Sequence, residues 1–147
     1  MVDIEDLKER FLNLEFDTQE LRIDPEKSVT VARVTGEVLP EFTDPGHEDF
    51  QTPPAMLASL AAGRHLPIDF PRLGGIPMDG GKAVTIVRPV KPGTHLTGRT
   101  HLHDIYAKQG RSGRMVFIVS RMEIFDADGD QVAINDSRMV VRERPDA

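Results

Sequence analysis

Residues 53–62 read PPAMLASLAA. A double proline suits a helix start, because the first-turn N–H groups have no intrahelical acceptor for proline to deprive, and Gly63 suits the stop. Between them almost every side chain is apolar. A helix that is apolar all round must be wrapped by other parts of the chain. The stretch therefore predicts a largely buried central helix over 53–63.

The wrapping follows on the C-terminal side. From residue 82 the pattern changes to valine, isoleucine and threonine with period two. KAVTIVRPV (82–90) reads as a strand and KPG (91–93) as a turn. Residues 94–107 alternate and are rich in threonine. QGRSG (109–113) is a turn, RMVFIVSRMEIF (114–125) a strand, DADGD (126–130) a hairpin turn with an Asp-Gly signal, and QVAINDSRMVVRE (131–143) the last strand. On the N-terminal side, Ile4, Leu7, Phe11 and Leu14 fall at helical spacing behind Asp3 as N-cap. A short strand is expected near 18–23 and a second helix over roughly 25–36, opened by Pro25 and ended by Gly36. Residues 37–51 and 64–81 read as loops. The expected class is α+β: one domain over 1–147, with a core of about 5–143, in which a curved antiparallel sheet wraps a central apolar helix.

Composition bounds the function. The 147 residues are 39% hydrophobic and 29% charged, with a formal net charge of −6. That balance is globular, and it lacks the cationic excess that nucleic acid requires. No cysteine is present, which removes disulfides, thiolate metal sites and cysteine nucleophiles. There is no tryptophan and one tyrosine, a poor basis for stacking on bases. No apolar run nears the ~20 residues of a membrane span. The opening MVDIEDLKERF has no signal-peptide apolar region, so a cytoplasmic location without membrane attachment is the expectation.

Several motifs invite chemistry. KQGRSGRM (108–115) lacks the Gly-Lys-Ser/Thr ending of a phosphate loop and sits between two strands, so it reads as a hairpin turn. It still gathers Lys108, Arg111 and Arg114 at one tip, a candidate docking point for a ligand's phosphates. The aspartates of DADGD lack the glycine and glutamate positions of a calcium loop. His101 and His103 share a strand face but have no evident third ligand, so no metal is expected. His47 stands beside Glu48 and Asp49, a candidate acid–base group in a polar loop. Ser59 has no nucleophile-elbow signal around it.

The order of these parts resembles the N-terminal type of MaoC-like dehydratase domain, the hot-dog fold of the (R)-specific enoyl-thioester hydratases and dehydratases of the fatty-acid-synthase type. PPAML (53–57), GGKAVTIVRPVKPGTHLTG (80–98), YAKQGRSGRMVF (106–117) and the DADGD hairpin carry the resemblance. It implies a lyase acting on acyl-CoA or acyl-carrier-protein thioesters, with no cofactor beyond that substrate. Active members carry a G-D-x-N-P-x-H signature whose aspartate and histidine activate water. Here the stretch is Gly36-Glu37-Val38-Leu39-Pro40-Glu41-Phe42. Gly36 and Pro40 match, Glu37 replaces the aspartate, and Phe42 replaces the histidine and cannot move a proton. The resemblance thus implies the degenerate half of a double hot dog, which shapes the acyl pocket for a catalytic MaoC-like chain in a heterodimer, or which pairs as a homodimer without one. It places the thioester near Pro53, Pro54, Ala55 and Met56, where Pro54 has no N–H to offer. The alternative is a self-sufficient hydratase or thioesterase using Glu37 or His47 with Glu48 or Asp49.

Overall fold

The computed structural model describes residues 1–143. Helix α1 (Ile4–Phe11) starts at Asp3, whose carboxylate accepts the N–H groups of Glu5 and Asp6. Strand β1 (Glu15–Arg22) follows through Asn13, which takes a positive φ of 63°. Helix α2 (Pro25–Val34) is capped by Asp24 and ends before Gly36, whose φ of 84° lets the chain turn away. A single turn, α3 (Pro40–Thr43), leads to the short helix α4 (Pro54–Ala58). Four long strands complete the chain: β2 (Pro77–Ile86), β3 (His95–Gly110), β4 (Gly113–Phe125) and β5 (Gln131–Arg142).

All five strands form one sheet in the order β1-β3-β4-β5-β2, every neighbour antiparallel. The sheet is curved in the manner of a hot dog. Its inner face is read from the alternation of burial along the strands. On β3 the inner positions are Leu96, Gly98, Thr100 and Leu102, and on β4 they are Val116, Ile118, Ser120, Met122 and Ile124. Two apolar clusters cover that face. One joins Leu57 of α4 to Ile23, Val90, Leu96, Met122, Ile124, Val132 and Ala133. The other joins Leu7 and Phe11 of α1 to Leu102, Ile105, Val116 and Ile118, with Leu66, Phe70 and Leu73 laid over it.

Several element bounds differ from the sequence reading: α3 falls in an expected loop, β2 ends at Ile86 rather than 90, β3 runs to Gly110 rather than 107, and three further differences bear on the site. The apolar helix expected over 53–63 stops at Ala58, and Leu57 is its one buried residue. Carbonyls at the end of α4 and just beyond it accept from distant side chains, and the Leu57 oxygen also accepts the Leu60 N–H. Asn135 Nδ2 donates to the oxygens of Leu57 and Leu60, and Lys82 Nζ donates to that of Ala58. Side-chain donors of this kind satisfy terminal carbonyls that a continued helix would bond internally. Strand β2 begins at Pro77 rather than 82, because the Gly80–Gly81 pair forms a bulge between Asp79 and Lys82 instead of a loop. Gly81 has a φ of 107°, and a side chain on Gly80 would run into Arg138 and Val140. Strand β1 also begins three residues earlier than expected.

Candidate functional site

Because α4 ends early, the middle of the inner face is not filled. A cavity of about 320 Å³ lies there, between the two apolar clusters. Its floor is Thr100 on β3, Ser120 and Met122 on β4, and Asn135, Ser137 and Met139 on β5. The register explains the grouping. Met122 pairs with Thr100 on one side and Asn135 on the other, and Ser120 pairs with Ser137. Leu60, Ala61 and Ala62 form one wall, beyond the end of α4. Arg64, His65, Lys82 and Arg138 are set around the cavity with one carboxylate, Asp79, so its surround is predominantly cationic. The volume falls within the range of small-molecule sites.

The residues singled out from sequence are dispersed around this cavity. Pro53 is buried at the start of α4, Pro54 and Ala55 are exposed, and Met56 packs against the first cluster. None of the four lines the cavity, which sits beyond the opposite end of the helix. Glu37 and Phe42 are half-buried in the α2–α3 region, where the Glu37 N–H donates to the Ala32 oxygen and the Phe42 N–H to the Leu39 oxygen. His47 Nδ1 accepts the N–H of Asp49 at 3.1 Å, a local turn contact that occupies one ring nitrogen. Among the described residues no hydrogen bond or ion pair joins His47 to Glu37 or to the Glu48 carboxylate.

The cationic tip is built by a tight hairpin, with Arg111 and Ser112 between Gly110 and Gly113. The three charges do not act alike. Arg111 is exposed. Lys108 is also exposed, with its ammonium 5.8 and 5.5 Å from the ring centres of Tyr106 and Phe117, which stack on each other at 4.8 Å. Arg114 turns away from them. Its guanidinium donates to the Val2 oxygen at 3.0 Å and pairs with the buried Glu143 carboxylate at 3.3 Å, clamping the start of the chain to the end of β5.

On the outer face, His101 Nε2 lies 3.1 Å from His103 Nδ1. The bulge between Leu102 and Asp104 brings them together. His101 pairs across the sheet with Arg121, which makes a two-pronged contact with Asp136 at 2.8 and 2.9 Å. Burial holds the His101 pKa below its usual value, with His103 and Arg121 adding to the effect and Glu123 and Asp136 opposing it. The hydrogen bond to Asp136 raises that of Arg121. Among the described residues no group of three or more His, Cys, Asp or Glu is placed to hold a metal ion, and no helix is long and apolar enough to cross a membrane.

Thr100, Ser120, Asn135 and Ser137 were not among the sequence candidates. Polar residues in alternating strands ordinarily face water. The available signal was phase: in QVAINDSRMV, Asn135 and Ser137 keep step with Ala133 and Met139, the apolar face of β5.

Residues 16–135 match the family model described as the FAS1-like dehydratase domain region. No curated protein matches the chain in sequence. Among solved structures, a chain of the C-terminally truncated HadBC (3R-hydroxyacyl-ACP dehydratase) complex from Mycobacterium tuberculosis is similar with a TM-score of 0.64 at 18% identity, over 95% of this chain and 98% of that one. A chain of the ChsH1-ChsH2 complex from the same organism has a TM-score of 0.65 at 18% identity, over 98% and 91%. The MaoC-like dehydratase from Rhodospirillum rubrum has a TM-score of 0.59 at 16% identity, over 99% of both chains. At these identities the structural likeness establishes the hot-dog fold.

Proposed function

Since the chain belongs to the FAS1-like dehydratase family of hot-dog hydratases and dehydratases, we propose that it is the acyl-thioester-binding, non-catalytic subunit of a heteromeric enoyl-thioester hydratase or 3-hydroxyacyl-thioester dehydratase. The observation that carries this reading is the inner-face cavity left where α4 ends at Ala58. A hot-dog domain that fills this space with helix has no room for an acyl chain; this one trades helix for pocket. Adding water to an enoyl thioester needs a base for the water and an acid for the α-carbon, both within hydrogen-bond reach. Phe42 can be neither, and Glu37 alone is one proton-transfer group. In this reading a MaoC-like partner supplies the acid–base pair, the cavity takes the acyl chain, Pro53 to Met56 lie along the thioester, and Lys108 and Arg111 meet phosphates of the carrier.

Two further features support a two-chain unit. The structural relatives from Mycobacterium tuberculosis are described as HadBC and ChsH1-ChsH2 complexes. Strand β2 is a ten-residue sheet edge that carries exposed Met78 and Ile86 and is flanked by exposed Ile76 and Val87. Pro77, Asp79, the Gly80–Gly81 bulge and Lys82 interrupt the edge itself, so these exposed apolar side chains are what a second chain would cover. The opposite edge, β1, is guarded by Glu15, Asp17, Glu20 and Arg22.

The test is co-expression with a MaoC-like chain carrying an intact G-D-x-N-P-x-H signature, followed by crotonyl-CoA hydration by the complex and by each chain alone. Turnover by the complex and not by this chain supports the proposal. Robust turnover by this chain alone, surviving Glu37→Gln and His47→Ala, overturns it.

A further inference from the structure

We infer that the cavity receives an acyl chain ending in a carboxylate, and that Lys82, Ser137 and Ser120 seat that end. The inference rests on the acyl-binding role proposed above and names the acyl group taken. It starts from a row across the sheet. Lys82 on β2 pairs with Ser137 on β5, which pairs with Ser120 on β4. Cross-strand partners share a face, with side chains about 5 Å apart. All three residues line the cavity. The Lys82 ammonium is held there by the Ala58 carbonyl at 3.0 Å, which leaves its other N–H groups to donate elsewhere. Ser120 and Ser137 are half-buried. Neither hydroxyl has a hydrogen-bond partner among the described residues, and neither is closed to solvent.

The charge around this row is unbalanced. Arg64 and Arg138 also line the cavity, and among the described residues neither they nor Lys82 form an ion pair. The one carboxylate in the lining, Asp79, accepts the Gly81 N–H at 2.8 Å in the bulge of β2. In a chain of net charge −6, unpaired cations gathered on one cavity call for an anion from outside the chain. A carboxylate matches the row, since its oxygens only accept while an ammonium and hydroxyls donate. Position separates it from the carrier's phosphates. The cavity lies beyond the C-terminal end of α4, whereas the role proposed above puts the thioester at the N-terminal end. The charge met in the cavity is therefore that of the far end of the acyl chain. The five residues of α4 span ~7.5 Å, within reach of a diacid of about eight carbons.

The test is competition binding to the full chain with thioesters of pantetheine, which carry no phosphate. Suberyl-pantetheine is compared with octanoyl-pantetheine, its equal in chain length. The expected result is suberyl-pantetheine binding about fivefold or more tighter, a preference that falls as salt rises. Lys82→Met should cut that preference by about threefold or more, Lys82→Arg should keep most of it, and Ser137→Ala should cut it by about twofold. Because Lys82 also contacts Ala58, octanoyl-pantetheine reports whether each variant still binds an acyl chain. Equal or weaker binding of suberyl-pantetheine overturns the carboxylate inference and leaves the acyl-binding role standing, as does a preference that both Lys82→Met and Ser137→Ala leave intact. A loss in Lys82→Met that is equal for free CoA, octanoyl-CoA and suberyl-CoA assigns the cations to carrier phosphates and also overturns it. Failure of every thioester to bind overturns both readings together.

Discussion

Asn135 on β5 donates to the carbonyl of Leu57, 78 residues earlier in the chain, at 3.0 Å, one residue before the end of α4. The same amide nitrogen reaches Leu60 at 2.9 Å. One residue therefore ties the end of the helix and the segment after it to the sheet beneath the cavity.

Asn135→Ala should destabilise the fold by about 1–3 kcal/mol, since it removes the side-chain donor to the Leu60 carbonyl and leaves Leu57 with its backbone donor alone. Urea denaturation, followed by far-ultraviolet circular dichroism, measures it. Asn135→Asp should be at least as damaging, because a buried carboxylate would face those carbonyls.

Hydration of crotonyl-CoA by this chain alone should be slower than by the two-chain complex by about 10²-fold or more, the typical worth of one positioned acid or base. Steady-state assays at equal active-site concentration give the ratio. The double change Glu37→Asp with Phe42→His should raise the lone chain's rate if the α2–α3 backbone follows the geometry of the active domains.

At the hairpin tip the three cations should separate into two kinds. Lys108→Ala and Arg111→Ala should weaken CoA-ester binding, more at low salt than at high salt, with little loss of stability. Arg114→Ala should instead destabilise the protein by ~1–3 kcal/mol, because it leaves the buried Glu143 carboxylate without its cation. Titration calorimetry and thermal melts on the same three variants distinguish these outcomes.

Acidification should act through His101. Its pKa in the folded chain lies below the usual value, mainly through burial, so the unfolded chain binds the proton more readily. Stability rises with pH wherever the unfolded state holds more protons. The contribution of neutral His101 is thus fully present above about pH 6.5 and is lost as pH falls toward the folded-state value. Protonation would also set a charge beside Arg121 and His103. His101→Gln should flatten the stability profile across that interval.

Placing charge on the β2 edge should impair assembly without unfolding the chain. Ile76→Lys combined with Met78→Lys alters side chains that are exposed in the chain described here, at 73% and 48%. Sedimentation velocity should show a shift toward monomer, whether the wild-type pair is homomeric or formed with a catalytic partner.

Much of the molecule is written locally. Asp3 and Asp24 before helical runs, Pro25 at a first turn, Gly36 after the end, and the Asp126–Asp130 hairpin all do in the structure what their chemistry predicts. Period-two alternation placed the long strands, and Phe42 in a signature that wants histidine was visible without coordinates. These features depend on a residue and its near neighbours in sequence, which is why they could be read there. The length of α4, the start of β2 and the site were not local. Ser-Leu-Ala-Ala reads as a helical run, but Asn135 donates to the Leu57 and Leu60 carbonyls and Lys82 to that of Ala58, and those residues arrive from far along the chain. Arg114 joins the cationic tip in sequence but leaves it in space, because Glu143 and the Val2 carbonyl lie on its other side. The cavity is more distant still from any motif, since it requires three strands in register to bring Thr100, Ser120, Asn135 and Ser137 under a helix that stops short. Hydrophobic period and capping chemistry specify which elements form; where an element ends against another, and what space remains between them, follows from long-range hydrogen bonds and packing that no window of sequence contains.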